Sequence, residues 1–208
     1  MEDKKLTTKE KFLYLLKNKY LWIAIAILLI SIIANLFASY YLEKRYGRTL
    51  PILNDIILDN LPYLKVAWLY DILGILMYFN MGIYAFKHKI EDFPYFVLLF
   101  AIFHFLRSLF IILTPLGVPN GGGQGLFKDA TGLQGEYPSG HTADAFSIFL
   151  FTKGAYKKIA LFFVLAIIIL LLLGRGHYTI DIFSAIIFSY AIYAFGERFL
   201  KEKFKKRK

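Results

Sequence analysis

The chain is 208 residues long, 58% hydrophobic and 18% aromatic, with a mean hydropathy of +0.53 and a net charge of +10. That apolar share exceeds the roughly 45–50% of soluble domains, and several runs reach the roughly 20 residues a helix needs to cross a bilayer. A soluble fold is thereby excluded in favour of an integral membrane domain, and the absence of cysteine excludes disulfides, thiolate nucleophiles and cysteine-based zinc sites.

The N-terminal arm, residues 1–19, is basic (Lys4, Lys5, Lys9, Lys11, Lys17, Lys19). Thr7 and Glu10 have capping-box spacing ahead of Phe12, Leu13, Leu15 and Leu16, which predicts a short helix lying on the inner leaflet. The apolar run from Tyr20 to Leu42 is too long for a signal-peptide core and has no clear small-residue cleavage site, so it reads as an uncleaved first span. An outer loop, 43–63, follows; between Pro51 and Pro62 its leucines and isoleucines suit a second interfacial helix.

The second span, about 64–86, carries Asp71 in its outer half, and the third, about 93–113, carries Arg107, with His104 one turn deeper. Ionisable residues at such depth cost about 2.5–3.5 kcal/mol on insertion scales, which makes them functional candidates. Arg107 could bind a phosphate oxygen bidentately or form a structural ion pair with Asp71. His104 reads as a satisfied interior histidine, and His88 sits in an inner loop without a nameable partner.

A polar outer loop opens with Gly121-Gly122-Gly123-Gln124-Gly125. It follows no strand, so a dinucleotide fingerprint is unsupported and a flap over a site is expected. Spans at about 139–155, 157–173 and 177–199 complete a set of six; the fourth is the weakest, with Asp144 near its start and Lys153 near its end. A basic tail, 200–208, suits topology control and anionic lipid. Together 20–199 form an all-α, six-span membrane domain with no evident internal repeat.

The basic residues gather in the arm, the 87–92 loop, the 153–158 loop and the tail, the alternate-loop pattern of the positive-inside rule rather than a nucleic-acid footprint. Both termini are then cytoplasmic, in a multi-pass protein of the cell membrane. The loops before the fourth span and before the sixth fall together on the outer face.

Those two loops carry the chemistry. His177 and Asp181 are four apart at a helix start, so they share a face, and a carboxylate on one ring nitrogen makes the other a better nucleophile or base. Pro138-Ser139-Gly140-His141-Thr142 reads as a turn into a helix N-terminus, a ready anion site with Ser139 as an added donor and His141 placed to give a proton. Arg175 lies two residues before His177.

At these residues the chain resembles the type 2 phosphatidic acid phosphatase superfamily, and within it the sphingomyelin synthase-like branch. The Pro138–Thr142 loop is similar to the superfamily's second motif. His177-Tyr178-Thr179-Ile180-Asp181 resembles the branch's His-Tyr-Thr-Val-Asp block, and Gly135-Glu136-Tyr137 its acidic Gly-Asp-Tyr. Arg107 with Thr114-Pro115-Leu116-Gly117-Val118-Pro119, and Asp55 and Asp59 with Leu61-Pro62, resemble further blocks.

The resemblance implies an outer active site in which His177 attacks phosphorus, Asp181 orients it, and His141 protonates the leaving alcohol. Arg107, Arg175, Ser139 and the Gly140 amide would hold phosphate oxygens, with Glu136 and Asp144 as further substrate-binding candidates. No metal and no cofactor is implied. The expected function is a lipid phosphatase or phosphotransferase acting on a membrane lipid, by headgroup transfer or phospholipase C-type hydrolysis. One alternative is a metal-dependent hydrolase with His141, His177, Asp181 and Asp144 as ligands. Another is a non-enzymatic lipid-binding or transport protein, which usually shows repeats and interrupted helices.

Overall fold

The computed structural model describes residues 7–47, 49–122, 125–126 and 135–204, and its secondary structure is helical throughout those residues. The elements are α1 (Thr8–Lys17), α2 (Lys19–Tyr46), α3 (Ile56–Asn60), α4 (Ala67–His88), a 3₁₀ turn (Ile90–Asp92), α5 (Phe93–Leu113), α6 (Gly140–Phe151), α7 (Gly154–Leu173), α8 (Thr179–Phe199) and α9 (Lys201–Phe204). Part of the expected glycine-rich flap and of both basic termini lies outside the described residues.

Five helices, α2, α4, α5 with its preceding turn, α7 and α8, are long and apolar enough to cross a membrane. The segment expected as a fourth span is different. Its helix, α6, has 12 residues and ends at Phe151, where Thr152 turns extended and its hydroxyl bonds back to the Ile148 carbonyl. At 1.5 Å per residue it is about 18 Å long, short of a hydrocarbon core of about 30 Å.

Small residues decide how the helices meet. Ala24, Ser31 and Ala38 recur every seven residues along α2, and all three are fully buried. This stripe lets α2 lie along α5, where the Ser31 hydroxyl donates to the Ala101 carbonyl at 2.8 Å and the Asn35 amide to the His104 carbonyl at 2.6 Å. On α7 the buried face is Ala160, Val164, Ile167 and Leu171, a helical repeat packed on α4 and α6. The main core therefore forms among α4, α6, α7 and α8, while α2 is held chiefly through α5. A cavity remains between α2 and α4.

The loop between α2 and α4, expected on the outer side, is tied to this frame. The Thr7–Glu10 capping box forms as expected at α1, and a short helix, α3, does occupy the stretch between Pro51 and Pro62. Asp55 caps α3, accepting from the Ile57 and Leu58 amides, and also accepts from the Thr179 amide at 2.6 Å and hydroxyl at 2.9 Å. One carboxylate thus joins the outer loop to the start of α8. The Leu53 amide adds a bond to the Tyr178 hydroxyl at 3.1 Å.

Burial alone would raise the Asp55 pKa, but the Thr179 and Leu58 amides, the Thr179 hydroxyl and the Ile57 amide outweigh it and hold the group below its usual value. Its stabilisation is therefore fully present above about pH 4 and is lost as pH falls through the lower folded-state value. Asp55→Ala should cost about 1–2 kcal/mol, read as a lower thermal unfolding midpoint in detergent at pH 7. The difference from wild type should close on strong acidification; equal midpoints at pH 7 would refute the clamp.

Candidate active site

Two helix N-termini, those of α6 and α8, converge at one end of the bundle. Ser139 caps α6: its hydroxyl accepts from the Thr142 amide at 3.3 Å, and its own amide donates to the Asp181 carbonyl at 3.2 Å. Asp181 reaches back over the start of α8, accepting from the Tyr178 amide at 3.0 Å. One backbone bond therefore sets the spacing between the loops that bear His141 and His177.

His177 is buried, and its Nδ1 lies 3.3 Å from Asp181 Oδ2 and 3.3 Å from Glu136 Oε2. Both carboxylates are fully buried. Two acceptors on one ring nitrogen favour the tautomer with hydrogen on Nδ1, which leaves the lone pair on Nε2. His141 stands opposite, with ring centres 6.2 Å apart. Its Nε2 lies 2.7 Å from Asp71 Oδ1, and the Tyr70 ring packs edge-on against it. Each histidine thus has a carboxylate of its own, from different helices.

Arg107 organises the opposite wall. Nε donates to the Pro138 carbonyl at 2.9 Å, one terminal nitrogen to Asn35 Oδ1 at 2.8 Å, and the other to the Gly135 carbonyl at 3.3 Å. A guanidinium has five N–H donors, so these bonds leave two for a ligand. The Asp71–Arg107 ion pair, one of the two options for Arg107, does not form: Asp71 has His141 as its partner and Arg107 has carbonyls and an amide.

The cavity between these groups has a volume of about 450 Å³. Its walls bring together His141, His177, Arg107, Gly140, Glu136 and Asp144, with Asp71, Tyr78, His104 and Asn35 beside them. Apolar residues (Ile32 and Leu36 of α2, Ile75 of α4) form the side between those helices and are themselves about half exposed. Two glycines allow close approach. A Cβ at Gly140 would sit 3.5 Å from Arg107 Nε, and one at Gly125 would fall 2.3 Å from Asp71 Oδ2. The described part of the glycine-rich loop therefore presses directly on the carboxylate that holds His141.

Two expected phosphate ligands have other partners. Arg175 adopts φ of 49° and donates to the Asn120 carbonyl at 2.8 Å and to the Leu58 carbonyl at 3.4 Å, bracing the outer loops and lying outside the cavity wall. The Ser139 hydroxyl is fully buried in its capping bond. Of the residues of the metal-ligand expectation, His177 and Asp181 lie together at 3.3 Å, whereas Asp144 lies with His104 at 2.9 Å and His141 with Asp71. A different trio, Glu136, His177 and Asp181, brings ligand atoms within 4.8 Å of one another.

Sequence reading misses Asp71 as the partner of His141, Glu136 as a second carboxylate on His177, and Asn35 and Tyr78 altogether. For Asp71 the signal is its charge within a span; Asn35 is likewise a polar break in an apolar run. His88, without a partner in sequence, packs between the Tyr84 and Tyr156 rings.

Against known proteins, no curated sequence matches the chain. The family described as PAP2 superfamily C-terminal matches residues 138–198, the stretch from the α6 cap to the end of α8 that carries both histidines. That match, with the five long apolar helices, supports the PAP2 superfamily, an integral membrane setting and phosphatase-type action on phosphoester substrates.

Proposed function

We propose that the protein is a lipid phosphatase or phosphotransferase of sphingomyelin synthase-like character, working at the outer membrane face through a phosphohistidine, with both termini cytoplasmic because the short α6 and the α7 that returns from it make one re-entry from that face and back. The observation that carries the proposal is the facing pair His141 and His177, each backed by its own carboxylate across one cavity.

His177 Nε2 attacks phosphorus and forms a P–N bond as the P–O bond to the leaving alcohol breaks. Asp181 and Glu136 hold Nδ1–H and stabilise the positive charge that develops on the ring. His141, its ring held by Asp71, acts as the general acid and gives a ring proton to the leaving oxygen. His141 then takes a proton from water or an acceptor alcohol, whose oxygen attacks phosphorus and releases His177. The two uncommitted Arg107 donors and the N-terminus of α6 hold the phosphoryl oxygens through both steps. An apolar side between α2 and α4 suits acyl chains, which places a lipid ahead of a soluble phosphoester.

A second reading rests on the Glu136, His177 and Asp181 trio, which could ligate a metal. In that arrangement Nδ1 of His177 would be a ligand rather than a held donor.

His177→Ala should lower turnover of lipid phosphoesters by more than about a thousandfold, with folding retained by size-exclusion profile and thermal midpoint. Orthovanadate should inhibit, and rapid acid-free quenching with a ³²P-labelled lipid should trap an acid-labile phosphoprotein in wild type that the variant lacks. Full activity in His177→Ala would refute the nucleophile assignment. Turnover should survive exhaustive chelation; its loss, with rescue by added metal, would favour the second reading.

Arg107→Lys should lose about a hundredfold in kcat, because an ammonium cannot replace three structural donors and still offer two to phosphate. Kinetics within about threefold of wild type would refute that role.

A further inference from the structure

Below the histidine pair the cavity holds a second polar layer that the reaction does not use. Asp144 lies three residues after His141 on α6, and His104 three before Arg107 on α5, so both sit about 4.5 Å deeper along their helices. His104 Nε2 lies 2.9 Å from Asp144 Oδ1. The Tyr78 hydroxyl, reaching toward the outer end of α4, donates to Asp144 Oδ2. All three side chains line the cavity, and those of His104 and Asp144 keep 18% of their surface open.

The hydrogen-bond inventory of this layer is one-sided. The carboxylate is an acceptor, so the Tyr78 O–H and the His104 Nε2–H are both spent on it. With the imidazole in its uncharged form, what is left in the cluster is acceptor capacity: the remaining lone pairs of the Asp144 carboxylate, the Tyr78 oxygen, and His104 Nδ1, which has no hydrogen bond among the described residues. Such a layer gains from a ligand that brings O–H or N–H groups and gains little from ester carbonyls, which would leave acceptor facing acceptor.

Past Asp144 on α6 the wall turns apolar, with Ala145 and Ile148, and Ile167 of α7 lines the cavity beside them. A lipid whose phosphorus lies between the histidines would set its tails there. The atoms about three bonds beyond its phosphoester oxygen would then fall at the second layer, given the offset of about 4.5 Å.

We infer that Tyr78, Asp144 and His104 form a specificity subsite that selects lipid phosphoesters bearing a hydrogen-bond donor, a hydroxyl or amide N–H, beside the phosphoester. The subsite deepens the lipid-phosphoester reading and rests on it for the placement of the phosphate. Two lipid backbones satisfy it, sphingoid bases and glycerol with an unacylated hydroxyl.

The test compares substrates matched in tail number at pH 8. In the two-tailed pair, N-acylsphingosine 1-phosphate is set against diacylglycerol 3-phosphate. In the one-tailed pair, 1-acylglycerol 3-phosphate is set against an alkyl phosphate of equal length. Wild type should favour the donor-bearing member of each pair by about tenfold in kcat/KM; preference in the first pair alone assigns the subsite to sphingoid lipids, and in the second alone to hydroxyl-bearing glycerolipids.

His104→Phe keeps the ring against Phe100 and Phe103 but removes both nitrogens, and Asp144→Asn is isosteric. Each should bring the ratios toward one, whereas a purely structural role would slow both members alike and leave the ratios intact. Parity in wild-type protein, or ratios that survive both substitutions, would overturn the inference. If no phosphoester is cleaved, the lipid-phosphatase reading fails on its own. The subsite is then read from binding, with N-acylsphingosine expected to raise the wild-type unfolding midpoint more than diacylglycerol and the difference lost in His104→Phe; equal shifts in wild type would overturn it.

Discussion

A charged guanidinium inside a membrane helix must find oxygen, and the way Arg107 does so sets the rest of the site. It reaches Asn35 on α2 and the carbonyls of Gly135 and Pro138. The segment so gripped runs directly into Glu136, Ser139, Gly140 and His141. Without that grip the loop would have to satisfy two carbonyls elsewhere, and α2 would lose a polar tie to the bundle. The cost of inserting the charge is offset by fixing the geometry of a loop that no regular secondary structure supports.

From that fixed loop the asymmetry of the two histidines follows. Glu136 arrives from the Arg107-held side and Asp181 from the first turn of α8, and both meet His177 on the same nitrogen. His141, on the first turn of α6, finds Asp71 across on α4. Backbone bonding between Ser139 and Asp181 then locks the two helix starts together. The two rings differ in which helix supplies the carboxylate and in how completely each is enclosed, a difference that supports the proposed nucleophile and acid roles. The His177 side chain is 8% exposed and that of His141 34%, the openness that the proposed proton exchange with water or an alcohol would need.

The two histidine loops are legible in sequence because their chemistry is local: His177 and Asp181 share a helix face, and a Ser-Gly-His turn before an apolar run marks a helix start. The long spans are legible for a similar reason, since length and hydropathy suffice. What sequence hides are partners brought from a distance. Asp71 and His141 are 70 residues apart, and the natural guess for a charged residue in one span is the opposite charge in the next. Arg107 defeats that guess because carbonyls of an irregular loop are invisible to charge pairing. Arg175 misleads for the opposite reason. Proximity to His177 in sequence suggests a shared ligand, yet its left-handed backbone turns the guanidinium onto Asn120 and Leu58. The shortness of α6 was similarly hidden, because α7 continues the apolar pattern after a break of two residues, Thr152 and Lys153.

Depth is the variable that organises the cavity. One polar layer carries positive or donor character, suited to the proposed phosphate: the remaining Arg107 donors, the α6 N-terminus and the His141 ring. One turn deeper, the Asp144 cluster has spent its donors and offers acceptors. Deeper still the walls are hydrocarbon. A soluble phosphoester can use the first layer alone, so the two lower ones would be wasted on it. An amphiphile held by its phosphate is drawn through all three in a fixed order, because each methylene of tail buried contributes roughly 0.8 kcal/mol and cannot be traded for a different depth without exposing the phosphate or burying it among acceptors. The loose contact between α2 and α4 is where such a molecule can lie with its tails toward the bilayer. The stripe of small residues that fastens α2 to α5, with no comparable packing on α4 among the described residues, is what leaves that side open.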